Sequence, residues 1–62
     1  MKKRDLVIKL ESAGWYLKRH GGEHDIYKHD KPSGERSTVQ VPKHREINEV
    51  TAQQILKDAG LK

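Results

Sequence analysis

The sequence predicts a two-layer α+β domain, with two helices on one face of a three-stranded antiparallel sheet. Three observations predict it. Apolar residues recur at helical spacing near both ends of the chain. A Gly-Gly pair separates two ring-rich runs, and an alternating run later stops at a proline.

The first helix is expected from about Arg4 to Ala13. Leu6, Val7, Leu10 and Ala13 share one helical face, while Ile8 falls off it. Gly14 stands where a helix commonly ends in a residue with positive φ.

Trp15 to His20 and His24 to Lys28 read as strands of a hairpin around Gly21-Gly22. A two-residue turn there pairs His20 with Glu23, Arg19 with His24 and Leu17 with Ile26. That register puts Leu17, Ile26 and His24 on the face covered by the helices, with Glu23 and Asp25 on the other. Asp30 to Gly34 reads as a loop, because Pro32 fixes φ while Ser33 and Gly34 relax it. Ser37 to Val41 alternates Thr38 and Gln40 with Val39 and Val41, a third strand with one buried face, and Pro42 ends it. The three strands form a meander.

The last segment predicts a second helix. Thr51 and Gln54 have the spacing of a capping box, and Val50 and Ile55 that of a hydrophobic staple. An alternative start at Asn48 lies three residues earlier. Ala52, Ile55, Leu56 and Ala59 form the apolar stripe, and Gly60-Leu61 supplies a Schellman ending that folds back on Leu56.

At 62 residues the chain is expected to be one domain, 1–62, with a small core. Trp15, Tyr16 and Tyr27 are its only large rings, so a deep enclosed pocket is not expected; chemistry on an open surface suits a polymeric substrate. No cysteine means no disulfide framework and no thiolate metal site. The basic start leads into an apolar stretch broken by Lys9 and Glu11, which is no signal-peptide core, and no run is long enough to span a membrane. A cytoplasmic location is the expectation. The net charge of +4 favours a polyanionic partner such as nucleic acid.

In a meander, the start of the second strand lies beside the ends of the first and third. His24 is therefore expected near Lys18, Arg19 and His20 on one side and near Lys43, His44 and Arg45 on the other, with His29 and Lys31 at the opposite end. RNA cleavage can be run by such a group without a metal. The substrate's 2′-OH is the nucleophile, a histidine moves protons near neutral pH, and cations stabilise the developing phosphorane charge. His20, His24 and His44 lack compact metal-ligand spacing, and His20 and His24 are expected on opposite faces. No cofactor is implied.

The residues that carry a family likeness are Gly14-Trp15, Gly21 to Tyr27, Val41 to His44 and Thr51 to Leu61. In order and spacing they resemble the HicA toxins over nearly the whole chain. The resemblance implies a double-stranded-RNA-binding-like fold, ribonuclease activity on mRNA that arrests growth, and neutralisation by a HicB-type antitoxin through which any DNA contact is made. The family's active histidine follows a Gly-Ser pair and maps onto His24; Glu23 stands where that Ser is usual. On this reading His24 is catalytic, Lys18, Arg19, Lys43, His44 and Arg45 contact RNA, and His44 is a candidate second proton carrier. A non-catalytic RNA-binding module gripping a duplex by shape is the alternative. An interaction domain with an acidic partner is a third.

Overall fold

The computed structural model describes residues 1–32 and 36–62. Its order is α1 (Lys3–Ser12), β1 (Tyr16–His20), β2 (His24–Lys28), β3 (Thr38–Pro42) and α2 (Glu49–Asp58). The strands form one antiparallel sheet, β1-β2-β3. This is the expected αβββα class. Of the expected loop, Ser33 and Gly34 lie outside the described residues.

α1 buries Leu6 and Leu10, and Ile8 is 56% exposed, as its place off the stripe requires. The helix closes as a Schellman motif: Trp15 N–H donates to the Leu10 carbonyl and Gly14 N–H to that of Glu11, both at 3.0 Å. Gly14 has φ +98°, a left-handed conformation that side chains resist. The end of α2 repeats this device, with Leu61 N–H on Leu56 O at 2.8 Å and Gly60 at φ +76°.

The start of α2 corrects one expectation. Asn48, not Thr51, is the N-cap, and its side-chain oxygen accepts from Val50 N–H at 2.8 Å. Val50 is 78% exposed and staples nothing, and Gln54 turns outward to donate to Asp58. The cause is Ile47. It is buried in the core directly before Asn48, as is Ala52 in the next turn, and this fixes where the chain enters the helix.

The hairpin register corrects a second. The observed pairs are Leu17 with Tyr27, Arg19 with Ile26 and His20 with Asp25, with a bulge between Leu17 and Arg19. Gly21 N–H donates to His24 O at 2.8 Å, so the tight turn is Gly22-Glu23 and not Gly21-Gly22. β2 therefore turns Asp25 and Tyr27 to the covered face, opposite Val41 and Val39. His24 and Ile26 lie on the open face. A one-residue change of register exchanges the faces of a strand. Here the choice follows the larger apolar ring: Tyr27 enters the core and Ile26 stays half-buried. Edge strand β1 is exposed throughout, Leu17 included.

The core gathers Leu6, Leu10, Trp15, Tyr27, Val39, Val41, Ile47, Ala52, Ile55, Leu56 and Ala59. Trp15 and Tyr27 are thus core rings. A final strap ties the ends of the fold together: Lys3 N–H donates to Arg45 O and Ile47 N–H to Met1 O, both at 2.8 Å.

Candidate active site

His24 opens β2, directly after the tight turn. It is half-buried, pairs across the sheet with Pro42, and its imidazole has no hydrogen-bond partner among the described residues. Its ring is free to meet a ligand. Arg19 pairs with Ile26, the next open-face residue along β2, which puts its guanidinium on the same face as His24. Lys18 sits in the bulge and is exposed.

The covered side of the same sheet end carries a second group. Asp25 is only 5% exposed, yet Lys3, His20 and Lys43 surround its carboxylate. Lys3 Nζ lies 2.7 Å from Oδ2, His20 Nδ1 lies 2.8 Å from Oδ1, and Lys43 Nζ lies 3.6 Å from Oδ1. The Lys3 hydrogen bond, then that of His20, holds the Asp25 carboxyl down at about 2. An ionised carboxylate only accepts hydrogen bonds, so His20 Nδ1 is the donor and its Nε2 faces outward.

Lys43 and Arg45 also line an open groove of about 490 Å³ with Lys2, Lys3, Arg4, Val7 and Glu46. His44 is exposed beyond β3 with no side-chain partner among the described residues. The expected cluster thus separates into two. His24 and Arg19 occupy the open face; Lys43 and Arg45 join Lys3, His20 and Asp25 on the covered side. His29 lies at the far end, as expected. It accepts from Lys31 N–H at Nδ1 and reaches the Ala13 carbonyl with Nε2, each at 2.8 Å, and sets its ring edge-on to Trp15. That histidine is structural.

Sequence reasoning missed Asp25 as the centre of a charged cluster and Lys2, Lys3 and Arg4 as groove residues. The basic start was visible, but the strap that carries it to residue 45 is a contact across the whole chain. No local pattern encodes it.

A family model described as "HicA toxin of bacterial toxin-antitoxin" matches residues 4–61. The chain belongs to the HicA toxin family. Membership makes it a toxin-antitoxin component and implies a HicB-type antitoxin as partner; HicA toxins are generally ribonucleases. No curated protein matches the chain. Among the described residues, no helix is long and apolar enough to cross a membrane.

Proposed function

We propose that this chain is a metal-independent endoribonuclease that cleaves mRNA, arrests growth in the cytoplasm and is neutralised by a HicB-type antitoxin. The observation that carries this reading is His24, whose imidazole has no hydrogen-bond partner among the described residues and sits at the sheet end on the face of Arg19; the family resemblance maps the active histidine onto it.

In the reaction, His24 takes the proton of the 2′-OH as that oxygen attacks the adjacent phosphorus. The bond from phosphorus to the 5′-oxygen breaks, and the leaving oxygen receives a proton. The product end is a 2′,3′-cyclic phosphate. Arg19, and Lys18 at the edge, offer charge to the phosphorane, whose extra negative charge is what a guanidinium stabilises best. His44 is the freest candidate for the second proton transfer. DNA has no 2′-OH and stays intact.

Induction of the chain is expected to stop growth and degrade mRNA, and His24→Ala to abolish both with the circular dichroism spectrum unchanged. Cleavage of a defined RNA by that variant at the native rate would remove His24 from the catalytic role, and a native chain that binds the RNA without cutting it would be a non-catalytic RNA binder.

A further inference from the structure

The groove beside α1 contains charge that the proposed reaction at His24 does not use. Five cations, Lys2, Lys3, Arg4, Lys43 and Arg45, line it against a single carboxylate, Glu46. Two of the five are engaged at Asp25, Lys3 closely and Lys43 more loosely. Lys2 and Arg45 form no ion pair among the described residues. Among the described residues Arg4 pairs with Asp5 alone, at 3.9 Å between exposed side chains, where such a pair contributes little.

The backbone that carries these charges is held in place. Lys2 pairs as an isolated bridge with Glu46, and Lys3 N–H is bonded to Arg45 O, so the first residues run beside residues 45–47 as a fixed strand-like strap. Lys3 then anchors α1 to β2 through Asp25. The side chains start from a rigid frame, which lowers the ordering cost of binding.

The groove's position is equally specific. Pro42 is the cross-strand partner of His24, and Lys43 is the next residue, with its N–H bonded to Glu23 O at 3.3 Å. The groove's lining therefore begins one residue after the cross-strand partner of His24. An open cleft with spread single charges suits a string of phosphates better than one phosphate, which favours a convergent bidentate site.

We propose that this groove is a second RNA site, which binds the phosphate backbone of the single-stranded nucleotides flanking the position at His24. It rests on the ribonuclease reading above. Lys2, Arg4 and Arg45 are the phosphate contacts; Lys3 holds the frame and Lys43 joins the two faces.

The test measures binding of a single-stranded RNA oligonucleotide to the full chain carrying His24→Ala, across a salt series. Neutralising Lys2→Gln and Arg4→Gln together removes two contacts. On single strands this is expected to make the log–log salt slope shallower by about 1.4, at about 0.7 per contact. An oligonucleotide too short to leave the His24 face should show no such difference. An unchanged slope with the long RNA overturns the proposal. So does a loss confined to antitoxin binding, which would make the groove the antitoxin's seat. Because binding is read without cleavage, failure of the catalytic reading would show separately, as native-rate cleavage by His24→Ala.

Discussion

His20 Nδ1 and Asp25 Oδ1 meet at 2.8 Å across the first pair of the hairpin, on the side of the sheet away from His24. Their contact explains how an aspartate occupies a core-facing position. Burying a carboxylate is costly unless it is paired and hydrogen-bonded, and Lys3 and His20 each take one oxygen. The pair also fixes which histidine faces which side. His20 is tied to the covered side, although its ring remains 68% exposed, and His24 alone is left on the open face.

Asp25 makes stability depend on acid. Its native carboxyl titrates at about 2, below the unfolded value near 3.9. The ionised, paired form therefore stabilises the fold fully above about pH 4, and this contribution is lost as pH falls towards 2. Urea midpoints measured from pH 6 down to 2 should fall more steeply for the native chain than for Asp25→Asn. The variant itself should be less stable by about 1–3 kcal/mol at neutral pH, since the amide carries no charge and has one acceptor oxygen for Lys3 and His20 together.

Gly14 and Gly60 both have positive φ, and Gly14 is also crowded. A Cβ there would lie 2.7 Å from His29 Nε2, the atom bonded to Ala13 O. Gly60→Ala is expected to cost about 1–2 kcal/mol from backbone strain. Gly14→Ala should cost more, because His29 must also shift. Equal thermal shifts for the two variants would show that the His29 contact is soft.

The two candidate N-caps of α2 are separable by single substitutions. Asn48→Ala should destabilise by about 1 kcal/mol, because Val50 N–H loses its acceptor. Thr51→Ala, inside the first turn and exposed, should be close to neutral. Denaturant midpoints decide between them.

What could be read in the sequence was local. Gly14 and Gly60 announce helix ends because each Schellman motif is closed within six residues, and the Val39/Val41 alternation shows β3 because both valines reach the core. The face of β2 could not be read so. His-Asp-Ile-Tyr-Lys alternates in either sense, and the outcome depends on the bulge at Lys18 and on the pairing of Tyr27 with Val39, both non-local. The site followed suit. Its residues were found by type and by their end of the sheet, but their division between two faces depends on that register. Asp25 was misplaced because the Gly21-Gly22 turn register turned it to the other face, whereas the observed turn at Gly22-Glu23 sets it against Val41.

The cleavage chemistry makes its own prediction. With a 2′-OH nucleophile and imidazole proton transfer, cutting should persist in excess EDTA. A single 2′-deoxy nucleotide at the scissile position should block it there. Product ends read by mass spectrometry should carry cyclic or 3′-phosphate. Activity that vanishes in EDTA and returns with Mg²⁺ would refute the mechanism.

The division of charge between two faces also predicts how an antitoxin would silence the toxin. An inhibitor that hides His24 must cover the open face, where Arg19 lies and where Ile26 is half-buried. Carboxylates opposite Arg19 would speed association and make it salt-dependent. The groove at Arg45 opens on the other side of the sheet end and is not needed for that occlusion. Arg19→Glu should therefore weaken RNA and antitoxin together, whereas Arg45→Glu should weaken RNA and leave antitoxin affinity near its native value. Both ligands would be titrated against both variants, with His24→Ala as background to avoid toxicity. Antitoxin binding that ignores Arg19 but collapses with Arg45 would place the inhibitor on the groove, and direct covering of His24 would be wrong.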